Sequence, residues 1–172
     1  MRAVAALCVL LALPARAEPP RIDAGVGLMT AARATSSQTG PSFGAAVNVP
    51  VTGPFQVRLE SQAAPFQESN AVARLTRWEW RTALTADLVT SRQSVALRLG
   101  LGPALLLQPV RVVGDQAYGG TRARVGLRAH MGLAGRVRGP VGWRVGMGTV
   151  LSADHPGFDG LLAMTWTPGR GP

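Results

Sequence analysis

The sequence predicts an all-β chain: an eight-stranded antiparallel up-and-down transmembrane β-barrel with a polar, arginine-rich lumen. Three observations predict it. Apolar and polar residues alternate over most of the chain, most plainly at 122–133. There Arg122, Arg124, Gly126, Arg128, His130 and Gly132 share one face, and Ala123, Val125, Leu127, Ala129, Met131 and Leu133 share the other. A period of two belongs to a strand, whose successive side chains leave opposite faces. No segment carries the 3.6-residue period of an amphipathic helix. The face opposite the greasy one is crowded with glycine and with charges of both signs, which suits a packed polar interior.

Each element follows from that alternation. The first strand, 22–30, sets Ile22, Ala24, Val26 and Leu28 against Asp23, Gly25 and Gly27. A polar connection over 33–41 leads to the second, with Phe43, Ala45, Val47 and Val49 against Ser42, Gly44, Ala46 and Asn48. Residues 50–54, Pro-Val-Thr-Gly-Pro, form a tight turn. The third strand sets Phe55, Val57 and Leu59 against Gln56, Arg58 and Glu60. After a long connection over 64–73, the fourth, 74–89, sets Trp78, Trp80, Leu84, Ala86 and Leu88 against Arg77, Glu79, Arg81, Thr85 and Asp87. Thr82 is a polar exception on its greasy face.

A short turn at 91–94 opens the fifth strand, where Val95, Leu97, Leu99 and Leu101 oppose Ala96, Arg98 and Gly100. The alternation breaks over 103–107. A third long connection, 109–120, precedes the sixth strand, and a basic turn at 136–140 follows it. The seventh sets Trp143, Val145 and Met147 against Arg144, Gly146 and Gly148. A fourth long connection, 152–159, precedes the eighth, 160–167, with Leu162, Met164 and Trp166 on one face. Leu161 and Ala163 make its other face less polar than the pattern demands. Long connections follow strands one, three, five and seven, and short turns follow two, four and six. This places the long connections outside the cell and the turns in the periplasm.

Residues 1–17 read as a cleaved signal peptide: Arg2 as the positive start, 3–13 as the apolar run, and Ala15-Arg16-Ala17 as the cleavage site. The apolar run is too short to span a membrane as a helix. Residues 18–172 then form one outer-membrane barrel domain. The single cysteine, Cys8, leaves with the signal, so the mature chain has no disulfide, thiol nucleophile or cysteine metal site. Without Arg2 and Arg16, 16 arginines stand against nine acids, a net charge of +7 with no lysine. The arginines are spread along strands rather than clustered, and the chain is exported, which argues against nucleic acid.

Two barrels compete for the alternation. A soluble periplasmic ligand-binding barrel of the lipocalin type turns its greasy face inward. A membrane barrel turns it outward to lipid. Glycine and paired charges on the other face favour the membrane form, because so many strand glycines on a wet surface would only weaken the sheet. The candidate lumen network is Asp23, Arg58, Glu60, Arg77, Glu79, Arg81, Asp87, Arg98, Arg122, Arg124, Arg128 and Arg144, eight positive groups against four negative. Trp78, Trp80, Trp143 and Trp166 fall on the greasy face and read as membrane-interface aromatics, two towards each rim.

The pattern resembles the small outer-membrane β-barrel proteins of Gram-negative bacteria, the OmpX- and OmpA-like group. It covers nearly the whole mature chain, and 48–55 looks like a periplasmic hairpin turn of that group. Such chains usually end in an aromatic residue read during assembly; here Thr167 to Pro172 follow Trp166. The resemblance implies a monomer in the outer membrane, with lipid, lipopolysaccharide and the barrel assembly machinery as partners.

A structural or surface-interaction role with a filled lumen is the expected function. Some barrels of this kind modify lipid A, so an enzyme acting on lipid A or phospholipid is the alternative. Ser152, Asp154, His155 and Asp159 lie close in sequence, but they lack the histidine–serine spacing of the barrel deacylase. Proximity in sequence does not make a triad, and Asp154 and Asp159 read as turn residues. His130 reads as a packed lumen residue. No phosphate-binding, zinc or calcium motif is present, and no cofactor or metal is expected.

Overall fold

The computed structural model describes residues 19–32, 37–69, 74–92, 94–113, 118–152 and 156–168. The expected signal peptide lies outside the described residues. The described residues form eight strands: β1 (Arg21–Ala32), β2 (Ser37–Thr52), β3 (Phe55–Ser69), β4 (Arg74–Arg92), β5 (Val95–Val113), β6 (Tyr118–Arg138), β7 (Val141–Ser152) and β8 (Pro156–Trp166). Each pairs antiparallel with the next, and β1 pairs with β8 from Ile22↔Trp166 to Ala31↔Gly157, closing the barrel. Closure removes every sheet edge, the condition for a sheet to stand in hydrocarbon.

The greasy face points out. Val26, Leu101, Val125, Met147 and Leu162 are all exposed, while Asp23, Arg58, Glu79, Asp87 and Arg98 are at most 1% exposed inside. That is the reverse of a soluble ligand-binding barrel, and it rejects that alternative. Along β4 the outward apolar run extends from Trp78 to Leu88, about the length a tilted strand needs to cross a bilayer, roughly 9–11 residues.

The strands are longer than the alternation predicts at their loop ends. Residues 37–41, 64–69, 109–113, 118–120 and 156–159, expected in connections, all continue the sheet. The reason is physical: once a strand leaves the apolar band, its outward residues need no longer be greasy. Thr39, Gln67, Arg74, Arg111 and Thr121 are exposed outer-end positions of this kind. The ladder continues while the hydrophobic signal stops. The break at 103–107 has a related cause, because Ala104 and Leu106 point inward and are buried there.

At the other end the turns are tight. Gly53 and Gly139 have φ of 53° and 56°, the left-handed region glycine enters without penalty. Each turn is followed by a proline whose carbonyl accepts a hydrogen bond: Val89 N–H donates to Pro54 (2.7 Å) and Thr167 N–H to Pro140 (2.9 Å). These bonds tie the turns to β4 and to the end of β8.

On the outer face Thr82 is no anomaly. It lies directly opposite Ser61, and the two hydroxyls hydrogen-bond at 3.3 Å, so each serves the other where water is absent. Phe43 meets Trp78 and Trp80 edge-on at 6.2 and 6.4 Å. Ala63, paired with both Phe43 and Trp80, is buried beneath the rings. The small residue lets the aromatics close over β3.

Candidate functional site

The inward face of the barrel carries the chemistry. Near the turn end, Asp23 on β1 is fully buried and gathers three donors on one oxygen. Arg58 Nη1 lies 2.6 Å, Arg144 Nη1 3.0 Å and Asn48 Nδ2 3.0 Å from its Oδ2. The Asn48 amide oxygen in turn accepts from Arg58 Nη1 at 2.8 Å and Arg98 Nη1 at 3.1 Å. Arg58 reaches upward as well, donating from Nε to Glu60 Oε2 at 2.8 Å.

From Glu60 the chain of charges continues across the lumen. Arg128 on β6 donates from Nε to the other Glu60 oxygen and from both Nη atoms to Asp159 on β8, the Nη2–Oδ1 distance being 2.9 Å. Asp159 Oδ2 also accepts from Arg81 Nη1 at 3.2 Å. Arg81 then forks onto Glu79 Oε1, from Nε at 2.8 Å and Nη2 at 2.6 Å, and Gln108 donates to Glu79 Oε2 at 3.0 Å. Asp23, Arg58, Glu60, Arg128, Asp159, Arg81 and Glu79 therefore form one ladder of alternating sign from turn end to loop end. A separate knot lies beside it. Asp87 accepts from Thr85 at 2.7 Å and Gln56 at 3.3 Å, and its Oδ2 lies 3.2 Å from His130 Nε2.

Glycine makes the ladder possible. A Cβ on Gly148 would stand 2.7 Å from the Arg128 guanidinium, and one on Gly157 or Gly100 would collide with Arg81 or with Asp87 and His130. Bare backbone on one strand is the space filled by a long side chain from another.

Ten of the twelve candidate lumen residues are buried. Arg77 sits towards the loop end with its guanidinium 5.2 Å from the Phe66 ring centroid. Two depart. Arg122 is exposed and Arg124 half-exposed, because the inward face of β6 rises past the buried layer before it reaches them. Asp159 corrects a second expectation. It is no turn residue but the acid shared by Arg81 and Arg128. With these changes six buried arginines face five buried acids among the described residues, instead of eight facing four. The alternation 157, 159, 161, 163 read backwards along β8 was the available signal; the turn-like Asp-His-Pro-Gly before it masked it. Asn48 was legible as inward but not as the joint between two arginines and an acid.

The inner wall is also not polar throughout. Met29, Ala64 and Phe66 form one buried apolar cluster, and Ala83, Ala104, Leu106 and Val150 another. Trp78, Trp80 and Trp166 are exposed on the outer face, the first two towards the loop end and Trp166 beside the turns. Trp143 is half-buried, its indole lying over Gly135 of the neighbouring strand.

Asp154 and His155 lie outside the described residues. Asp159 is committed to two arginines, so it is not a free acid for the Ser152–His155 region. Among the described residues no group of three or more His, Cys, Asp and Glu side chains is placed to hold a metal.

No protein-family model and no curated protein matches the sequence. Solved structures do match in shape. Ail, the attachment invasion locus protein of Yersinia pestis, solved with the heparin analogue sucrose octasulfate, superposes with a TM-score of 0.66 at 12% identity, over 87% of this chain and 98% of its own. Neisserial surface protein A superposes with a TM-score of 0.66 at 14% identity, over 88% and 97%. The N-terminal β-barrel domain of Pseudomonas aeruginosa OprF gives 0.58 at 11% identity, over 88% and 98%. The chain has the fold of the small Gram-negative outer-membrane barrels.

Proposed function

We propose that this chain is an outer-membrane barrel with a structural or surface-interaction role, whose lumen is shut by its own charge ladder. The carrying observation is the unbroken run from Asp23 to Glu79 across the interior, inside a wall whose outer face is apolar. An eight-stranded barrel is just wide enough for side chains to fill, and a ladder that satisfies its own charges leaves an ion no favourable path.

The loop end supplies the surface chemistry. Arg74 and Arg111 are exposed on the outer face above Trp78 and Trp80, and Arg122 is exposed near them on β6. Basic groups just above an aromatic band suit lipopolysaccharide phosphates. Ail holds a sulfated ligand in one of its structures, and the same arginines would suit a polyanion here. The chain works as a monomer inserted by the barrel assembly machinery.

Planar-bilayer recording tests the shut lumen. The expected result is no stable porin-sized conductance; reproducible large openings would overturn it. Recovery of the protein in the soluble periplasm would overturn the membrane location.

A further inference from the structure

The turn end of the lumen opens into a cavity of about 540 Å³. Arg21, Ala96, Arg98, Gly142, Thr165 and Thr167 contribute to its wall. Arg98 is the notable member. It is 1% exposed, and among the described residues its one hydrogen bond goes to a neutral amide oxygen, that of Asn48. Its Nε is buried with no partner. Arg58, Arg81, Arg128 and Arg144 each touch a carboxylate; among the described residues Arg98 touches none. A buried guanidinium that touches no carboxylate is costly, and this one borders an open space instead of a packed wall.

We propose that the cavity is an oxyanion site, taking a free phosphate-class anion from the periplasmic side as the counter-ion of Arg98. The wall suits that chemistry. Arg21 adds a second positive group, and Thr165 and Thr167 are inward hydroxyl residues, each under a tenth exposed. Gly142 keeps the Thr165 hydroxyl uncovered, since a Cβ there would stand 2.6 Å from its oxygen. Guanidinium groups bind phosphate oxygens in charge-assisted pairs, and the Arg98 Nε–H is the donor without a partner. The site lies beyond the ladder and does not require the lumen to conduct. It rests on the chain folding as a membrane barrel, which heat-modifiable gel migration reads separately.

The test is equilibrium urea unfolding in phosphatidylcholine vesicles, prepared in potassium phosphate or in potassium chloride of equal ionic strength so that both faces meet the anion. Phosphate should raise the wild-type midpoint above that in chloride. At ten times its dissociation constant, one bound anion raises the folded-to-unfolded ratio about elevenfold. Arg98→Gln should lose the increment, Arg98→Lys should keep part of it, and Arg122→Gln, at the other end, should keep it all. Ala96→Glu places a carboxylate two residues along the same inward face. It should raise the midpoint in chloride and abolish the response to phosphate, which decides the matter even if Arg98→Gln fails to fold. A wild type indifferent to phosphate, or an Ala96→Glu variant that still responds, would overturn the proposal. So would an equal increment in chloride from vesicles containing phosphatidylglycerol, which would assign the site to a lipid headgroup.

Discussion

At the scale of single residues, Asp159 is the pivotal group. It accepts from Arg81 and from both Nη atoms of Arg128, so its loss takes one of two carboxylate partners from each of two buried guanidinium groups. Asp159→Asn keeps the shape and removes the charge. It should destabilise the barrel by about 3–5 kcal/mol, the usual cost of breaking a buried ion pair by removing one partner. Urea unfolding in vesicles measures this, and a change under ~1 kcal/mol would mean that the ladder carries no stability. The outer face makes the opposite kind of prediction. Ser61 and Thr82 satisfy each other at 3.3 Å. Either one changed to alanine should cost about 0.5–1.5 kcal/mol, and the double variant should cost less than the sum. Strict additivity in a double-mutant cycle would show that the pair is uncoupled.

At the scale of elements, β6 tests the two faces of one strand. Leu127 is exposed on the apolar band and Arg128 buried beside it. Leu127→Arg should cost roughly 2–4 kcal/mol if it lies near the bilayer midplane, and Leu127→Ile should be nearly silent. The cost of Leu127→Arg should vary with lipid thickness, whereas that of Arg128→Leu should not, because its partners Glu60 and Asp159 are inside. Folding into vesicles of two chain lengths separates them; equal behaviour of both variants would contradict the inside–outside assignment. These faces were legible from alternation alone, since 122–133 announces them without any contact information. The strand ends were not. Polar residues outside the apolar band look the same whether the backbone is paired or looped, so 37–41 carried no signal that its ladder continues, and at 156–159 the turn-like residues hid the alternation. Nor does alternation say which inward residues meet. The contact between Asp159 and Arg81 spans 78 positions and depends on barrel closure, which no local window contains.

At the scale of the whole molecule, the fold has two unlike ends. The turns at Gly53 and Gly139 are tight and hydrogen-bonded to neighbouring strands. The opposite end lifts its strands beyond the apolar band and carries Arg74, Arg111 and Arg122 in exposed positions. With the turns in the periplasm, an epitope inserted between Val113 and Tyr118 should be reached by antibody on intact cells, and one at Gly139 should not. The reverse labelling would invert the orientation and place the arginines away from lipopolysaccharide. If the orientation holds, charge reversal at Arg74 and Arg111 together should weaken folding into vesicles containing lipopolysaccharide and leave folding into phosphatidylcholine unchanged.

The ladder draws on strands from both ends of the chain, and that bears on how the barrel is born. Asp23 on β1 waits for Arg144 on β7, and Arg81 on β4 waits for Asp159 on β8. A nascent sheet of the first six strands would hold acids and arginines whose mates have yet to arrive. Such a sheet has little reason to settle in hydrocarbon before the last hairpin joins. Seam closure and charge neutralisation are then one event, so half-built intermediates should be short-lived. A chain cut after β6 should stay with its chaperones or be degraded rather than persist in the membrane as a partial barrel.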